Sequence, residues 1–368
     1  MMSNKTLKAF IWSLILFISA PAFSSSAEEG EPVNVNEMIM HHIKDAHEWH
    51  IMGPDHGEGA VVIPLPIILI DGGLKVFMSS KLYHGEIKTF QNKEGKEDHY
   101  IVNPELGYGI VHEKIYKLNA AGDLDFEHGH PTNAKPLDFS ITKNVFALIF
   151  SAILLFLLLK ASASTYKKNG LSAPKGITRF IEPIVVFVRD DIARANIGEK
   201  KYKKYMPFLL TAFFFIWINN MIGLIPIFPG GANLTGNISF TLVLASLTLI
   251  LTLISGNKHY WQHIFATPGV PKALLPIMIP VEVIGIFTKP FALMIRLFAN
   301  ITAGHIIILS LIGIIFTFQN SAWGFLSVPM ALFISVLELL VAFLQAFIFT
   351  MLSALFIGTA VAEEEHHY

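Results

Sequence analysis

Five long apolar blocks occupy this chain from residue 141 onward and decide what it can fold into. They span residues 141–159, 206–228, 238–255, 275–318 and 325–361. A helix needs about 20 apolar residues to cross the ~30 Å hydrocarbon core of a bilayer. The last two blocks have 44 and 37 residues, and a helix of about 40 residues would measure ~60 Å. We therefore expect five membrane segments, the last two tilted strongly, kinked or lying partly along the membrane.

The overall composition supports a mixed architecture. The chain has 368 residues, of which 53% are hydrophobic and 15% charged, and its mean hydropathy is +0.53. It is too apolar for a soluble protein and too polar to lie in the membrane throughout. The formal net charge of -1 gives no case for nucleic acid as a partner, because phosphate binding needs an exposed basic excess, and we expect no such partner. The absence of cysteine excludes disulfides and thiolate sites, and we expect neither a metal nor a cofactor.

The first residues have the pattern of a cleavable signal peptide. Lys5 and Lys8 precede an apolar run over 9–20, and small residues follow up to Ala27. The alternative is an uncleaved anchor helix, but the apolar run is short for a membrane span. We assign residues 1–27 to the signal peptide and expect the next segment to lie outside the cytoplasm.

Residues 28–138 read as a small exported α/β domain. Two apolar runs of about ten residues, 61–70 and 74–83, flank the turn signal Asp71-Gly72-Gly73 and predict strands of a hairpin. A group of histidines precedes them, and it suits an exposed helix as well as a metal site; we favour the helix. The group consists of His41, His42, His47 and His50.

Charge in the loops predicts the orientation of the membrane domain, 139–362. Residues 160–204 are rich in Lys and Arg, whereas 229–237 and 319–324 contain neither. The positive-inside rule makes the first loop cytoplasmic and the other two external. The N-terminal domain is then periplasmic, and the short tail at 363–368 is cytoplasmic.

Polar side chains inside the fourth block form one stripe. At ~100° per residue, Glu282, Lys289 and Asn300 fall within about 40° of Arg296 on an ideal helix. A cation at mid-membrane costs roughly 2.5–3.5 kcal/mol on insertion scales and predicts an acidic partner. His305, nine residues after Arg296, falls on the opposite face.

The last block carries Glu338 and Gln345, seven residues apart and on one face. If the two long segments pack antiparallel, Gln345 approaches Arg296, while Glu338 meets His305. A carboxylate and an imidazole beside water can relay protons, which favours protons over sodium as the transported ion. Alternatives are ordinary interhelical hydrogen bonds, a two-ligand metal site at His305 and Glu338, or a structural ion pair of Arg296.

Longer motifs around these residues resemble a known family. The chain reads IRLFAN at 295–300, followed by Ala303-Gly304, and LQAFIF at 344–349. It also reads FIWINNMIGLIP from Phe215 and PVEVIGIFTKPFALM from Pro280. Over roughly 140–360 it resembles subunit a of the F-type ATP synthase membrane sector.

The resemblance implies an all-α polytopic membrane protein with two long tilted C-terminal helices that form a hairpin against a ring of c subunits. One intramembrane carboxylate on each c subunit would be the missing partner of Arg296. Two half-channels, separated by Arg296, would couple proton flow across the membrane to rotation of the ring.

The resemblance also implies roles for single residues. Arg296 takes the essential arginine role, with Asn300 and Gln345 beside it. His305 and Glu338 belong to the external half-channel, although many bacterial members carry the two residue types exchanged. The remaining stripe residues are Glu282, which marks the cytoplasmic half-channel, and Lys289.

The implied context is the inner membrane of a bacterial cell. The partners would be the c-ring, subunit b of the peripheral stalk, the rest of the ATP synthase and lipid, and the chain alone would not be catalytic. The alternative is a self-contained ion channel or secondary transporter, which would supply its own counter-charge to Arg296. An intramembrane hydrolase has little support, because the sequence has no HExxH motif.

Overall fold

The computed structural model describes residues 39, 44–52, 61–93, 95, 97–169, 176–225, 228–266 and 271–362. The predicted signal peptide and the predicted cytoplasmic tail lie outside the described residues. Residues 44–139, called the N-terminal β unit below, precede a bundle of membrane-length helices.

Short antiparallel strands make up most of the N-terminal β unit. The elements are β1 (Glu48–Met52), β2 (Val61–Pro64), β3 (Pro66–Ile70), β4 (Leu74–Met78), α1 (Ser79–Tyr83), β5 (Glu86–Gln91), β6 (Glu97–Asn103), β7 (Tyr108–Val111), β8 (Lys114–Lys117), β9 (Phe126–Glu127), β10 (His130–Pro131) and β11 (Leu137–Asp138). The strands β5, β6, β7 and β8 form one sheet in that order, β11, β3 and β4 form a second, and the pairs β1–β2 and β9–β10 complete the unit. Among its described residues, one helix of five residues, α1, accompanies the strands, so the expected α/β domain is mainly β.

The predicted hairpin around Asp71-Gly72-Gly73 is present, and it joins β3 to β4. The two runs are not continuous strands, however. The first divides at Leu65, because the flanking prolines lack the N–H that a ladder needs, and its two halves join different sheets. The second run leaves the sheet after Met78, where Ser79 begins α1 and its hydroxyl accepts a hydrogen bond from the Leu65 amide at 3.1 Å.

The predicted exposed helix for the histidine group is wrong where the structure describes it. His50 lies in β1, paired with Val62 of β2, and His47 is buried just before this strand. The pairing with β2 takes precedence over the local helical pattern. His41 and His42 lie outside the described residues.

The β unit has an apolar core between its two larger sheets. Ile67 and Leu69 of β3 are fully buried against Ile101, Tyr108 and Ile110 of the four-stranded sheet. Alternate residues of β3 therefore point inward, as expected for a strand with one buried face.

The helical part contains five helices long and apolar enough to cross a membrane among the described residues. The helices are α2 (Lys143–Asn169), α3 (Ile177–Phe187), α4 (Ala195–Ile197), α5 (Tyr202–Leu224), α6 (Ile238–Ser255), α7 (Lys258–Phe265), α8 (Leu275–Thr317) and α9 (Gly324–Val361). A π-helix over Val188–Arg194 joins α3 to α4.

The five predicted membrane blocks correspond to α2, α5, α6, α8 and α9. This is the polytopic helical architecture expected from the sequence. The α8 helix continues through Pro280 and Pro290, so the angular spacing of its polar residues follows one helical register. The sequence reading did not predict α3, the π-helix or α7.

The bundle core lies where α5, α8 and α9 meet. Leu209 and Phe213 of α5 are buried against Leu297 of α8 and Phe349 and Ile357 of α9. Gly358 allows α9 to pack closely against α4, because a side chain at this position would collide with the Asn196 carbonyl of α4.

Backbone hydrogen bonds fix the β unit to the start of α2. The amides of Phe139 and Ile141 donate to the carbonyls of Ile68 and Pro66 at 2.9 and 3.0 Å. The three-stranded sheet β11–β3–β4 is thereby held beside the end of the first membrane helix.

Candidate functional site

The polar stripe of α8 lies on the outside of the bundle. Lys289, Arg296 and Asn300 are exposed, whereas Leu293 and Leu297, on the adjoining side of the helix, are buried in the core. Within the described ranges, no carboxylate oxygen lies within 4 Å of the Arg296 guanidinium. A cation on the outer surface of a membrane-length helix therefore faces whatever surrounds this bundle.

The other two members of the stripe lie towards the start of α8. Glu282 is half-buried. The Lys289 ammonium lies 5.9 Å from the centre of the Phe356 ring of α9, which suits a cation–π contact. Lys289 thus contacts the neighbouring helix.

His305 and Glu338 line the same cavity. It has a volume of about 610 Å³ and lies between α5, α8, α9 and the segment after α5. Gly223 lies beside the imidazole, since a Cβ at this position would be 3.9 Å from His305 Nε2. The α8 and α9 helices thus bring an imidazole and a carboxylate into one space large enough for several waters.

Glu338 is buried but its carboxylate has no direct hydrogen-bond partner among the described residues. It packs against Gly304, where any side chain would collide with Glu338 Oε1. A buried carboxylate without direct partners needs water, a proton or an ion. The cavity beside it can provide the water.

The Gly304–Glu338 contact sets the depth of the other site residues. Helices α8 and α9 are antiparallel, because only residues 318–323 connect them. Arg296 lies eight residues before Gly304 and Gln345 seven after Glu338, which are about 12 and 10.5 Å at 1.5 Å per residue. Arg296 and Gln345 therefore lie at similar depth, although Gln345 is buried and no hydrogen bond joins the two among the described residues.

Sequence reasoning missed a polar link between α5, α9 and the segment after α5. Asn220 is buried and its amide donates to the Ala342 carbonyl at 3.1 Å, while its oxygen accepts from the Thr235 hydroxyl at 2.7 Å. Asn233 lines the cavity, and its oxygen accepts from the Gly236 amide at 2.9 Å. The signal for Asn220 was present, since a polar pair interrupts the apolar run of α5.

The β unit reaches the same segment. The Trp49 indole N–H donates to the Gly230 carbonyl at 2.8 Å, and both groups are buried. The indole also meets Phe146 and Phe228 edge-on, with ring centres 5.4 and 5.2 Å apart. Gly231, the next residue, lines the cavity that holds His305 and Glu338. Trp49 of the β unit therefore anchors the segment that forms one wall of the cavity.

A second ionisable cluster lies between the β unit and α2, outside the cavity. His47 Nδ1 is 3.7 Å from Glu113 Oε2, and His47 Nε2 is 3.6 Å from Asp138 Oδ2. Burial opposes the charged form of His47, but the two carboxylates outweigh it and raise its pKa to about 9. Burial, reinforced by Glu113, raises the pKa of Glu48 to about 7.

Neither cluster has the form of a metal site. In the ranges that the structure describes, no three His, Cys, Asp or Glu side chains come together as ligands. His305 and Glu338 therefore remain a two-residue site, which is too few ligands for a typical metal centre.

The opposite end of the bundle is basic and tied together by polar contacts. Arg194 forms ion pairs with Asp190 at 2.9 Å and Glu199 at 2.6 Å. The Lys201 ammonium donates to the Val361 carbonyl at 2.8 Å, which satisfies an open acceptor at the end of α9.

Comparisons with known proteins divide the chain into the same two parts. The model of the family "ATP synthase A chain" matches residues 145–358, and that of a domain of unknown function matches 38–139. The chain is 51% identical over 331 residues to ATP synthase subunit a of Chlorobium phaeobacteroides, covering 83% of this chain and 94% of that protein.

Two further relatives show the same similarity. Identity is 50% over 265 residues with ATP synthase subunit a 2 of Chlorobaculum tepidum, covering 70% of this chain and 73% of that protein. It is 48% over 353 residues with ATP synthase subunit a of an Anaeromyxobacter species, covering 93% and 75%.

Proposed function

The chain belongs to the ATP synthase A chain family, and we propose that it is the proton-channel stator subunit of an F-type ATP synthase. In this role it provides two half-channels and the essential arginine, Arg296, that couple proton flow to rotation of a c-ring. The chain itself carries no catalytic site for ATP synthesis, which belongs to partner subunits.

The observation that carries the proposal is the placement of Arg296. It lies exposed on the outside of a membrane-length helix, with no carboxylate within 4 Å among the described residues. An uncompensated cation in a membrane is costly, so a partner from outside the described chain is expected. A carboxylate on each c subunit supplies it, since two charges ~4 Å apart attract by ~4 kcal/mol at an effective dielectric of ~20. The hairpin of α8 and α9 would present this surface to the ring.

The cavity around His305 and Glu338 supports the assignment of the external half-channel. It reaches two titratable side chains near the depth of Gly304, about 12 Å along α8 from Arg296. A proton that enters here can pass through water to Glu338 and then to a ring carboxylate beside Arg296. Asn300 and Gln345 would flank that transfer.

The second half-channel would open at the other end of the stripe. Glu282 is half-buried near the start of α8, about 21 Å along the helix from Arg296. A protonated ring carboxylate that has travelled round with the ring would release its proton along Glu282 and Lys289, and would then pair with Arg296 in its ionised form. Arg296 between the two paths would prevent direct proton leakage.

The proposed setting follows from the orientation of the loops. The basic end with Arg194 and Lys201 would face the cytoplasm of a bacterium, and the N-terminal β unit would be periplasmic, with the chain in the inner membrane. We propose a signal peptide at 1–27, an exported domain at 28–138, a membrane domain at 139–362 and a tail at 363–368. Subunit b of the peripheral stalk would hold the chain against the turning ring.

A self-contained channel or transporter would need its own counter-charge to Arg296. The exposed position of Arg296 argues against that alternative, because an internal counter-charge would place the guanidinium inside the bundle.

The test is ATP-driven proton uptake in inverted membrane vesicles that contain the assembled complex. Arg296→Ala should abolish uptake, and Arg296→Lys should do so nearly as completely, because an ammonium does not replace the planar guanidinium. Lys160→Ala is the matched control, since Lys160 is also an exposed cation on a membrane helix. Normal uptake by an assembled Arg296→Ala complex would refute the proposal.

A further inference from the structure

The outer face of the three-stranded sheet β11–β3–β4 is entirely apolar. Cross-strand pairing places eight side chains on it, and all eight are apolar. They are Pro66, Ile68, Ile70, Leu74, Val76, Met78, Leu137 and Phe139. An antiparallel sheet with one solvated face normally alternates apolar-in and polar-out, and this sheet does not.

The face is also uncovered. Leu74 is 69% exposed, and Leu137 and Phe139 are each 64% exposed. The inner face of the same strands is a normal core, with Ile67 and Leu69 fully buried. A sheet whose open face is entirely apolar indicates an interaction surface, because monomeric proteins rarely expose contiguous apolar patches of this kind.

The position of the sheet identifies its partner. Phe139 lies four residues before Lys143, the first residue of α2, and the hydrogen bonds from Phe139 and Ile141 to β3 fix the sheet there. The α2 helix exposes apolar side chains such as Ile149 and Ile153, which face lipid in a membrane-spanning helix. The apolar sheet face and the lipid-facing helix surface therefore belong to one stretch of chain.

We propose that the outer face of the β11–β3–β4 sheet rests on the lipid bilayer, with its strands along the membrane surface. The five residues of β3 span about 14 Å from the end beside α2 to the hairpin turn. The headgroup layer is only about 5–8 Å thick on each side. Strands that stood upright would therefore raise Leu74 and Leu137 above the lipid, whereas strands that lie flat bring both into contact with it.

The experiment measures lipid contact at single labelled positions in the assembled complex, reconstituted into vesicles. Since the chain has no cysteine, Leu74→Cys and Leu137→Cys each provide one attachment point for a bimane fluorophore. The fluorophore is attached to the chain before the chain is assembled with its partner subunits. Lys114→Cys is the matched control, because it is exposed on β8 of the other sheet. Emission is then measured with brominated lipid in the vesicles and, separately, with aqueous iodide.

The proposal predicts loss of emission in brominated lipid and protection from iodide at Leu74→Cys and Leu137→Cys, with the reverse at Lys114→Cys. Quenching by iodide at all three positions would show an open surface and overturn it. Protection from both quenchers would show that a protein covers the face, and would also overturn it. The outcome is independent of the proton-channel proposal, because it requires only that the helices span a membrane.

Discussion

The hydrogen bond between Trp49 and Gly230 allows a quantitative prediction. Trp49→Phe removes the indole N–H but keeps an aromatic ring against Phe146 and Phe228. The buried Gly230 carbonyl then loses its donor at 2.8 Å, which costs about 1–3 kcal/mol. A free-energy change of about 1.4 kcal/mol alters an equilibrium constant tenfold. The fraction of molecules in which the segment after α5 has detached from the β unit should therefore rise about 5- to 150-fold.

The assay is the rate at which a maleimide reagent modifies Ala232→Cys in the complex held in lipid nanodiscs. Ala232 is 2% exposed and lies in the same small core as Trp49, so its modification requires the segment to open. The rate should rise in the Trp49→Phe background by the factor above.

The matched control is Trp323→Phe, the same substitution at the turn between α8 and α9, where the indole stacks on Phe318 at 5.1 Å. It should leave the rate unchanged. Equal rates in native and Trp49→Phe complexes would refute the reasoning that this bond holds the cavity wall.

Three further predictions concern the cavity and the ionisable cluster. Gly304→Ala should displace the Glu338 carboxylate and lower ATP-driven proton uptake. Gly285→Ala is the control and should leave uptake unchanged, because a Cβ at Gly285 has no neighbouring atom within 4 Å. Equal uptake by the two variants would contradict the close contact between Gly304 and Glu338. His305→Glu combined with Glu338→His should recover uptake lost in either single variant, and no recovery would argue against a shared path. Protonated His47 should contribute on the order of 3 kcal/mol to the free energy of unfolding. This contribution is fully present below about pH 6.5 and is lost as the pH rises through about 9. Thermal unfolding midpoints of the complex should therefore fall over that range, and His47→Gln should remove the slope; a flat native profile would contradict this.

The membrane helices could be predicted because length and hydropathy decide them almost alone. The block at 238–255 coincides with α6, and the others end within a few residues of their helices except α2. That helix continues beyond its apolar block to Asn169, because helix formation does not require apolar residues outside the hydrocarbon core. The π-helix was missed because its charged residues pair with each other, and the pattern reads as a solvated loop.

Only those features of the site that depend on a single helix, or on two helices joined by a short turn, could be predicted from the sequence. Residues on one face of α8 or α9 follow from their spacing, and the antiparallel pairing follows from the short turn. The Asn220 link and the Trp49 bond could not be predicted, because each joins segments far apart in the chain. The prolines beside Leu65 mark where the run 61–70 divides, but the assignment of its two halves to different sheets depends on which strand each half pairs with.

The separation of Trp49 from Gly230 also sets an order of assembly during synthesis. The two residues are 181 positions apart. At ribosomal rates of about 5–20 residues per second, Gly230 is made roughly 10–40 s after Trp49. Strands of this size pair within seconds, so the β unit can complete its own core while its acceptor is still unmade. Docking of the indole must then wait until α5 and the segment after it have been made, so this contact forms later than the core of the β unit.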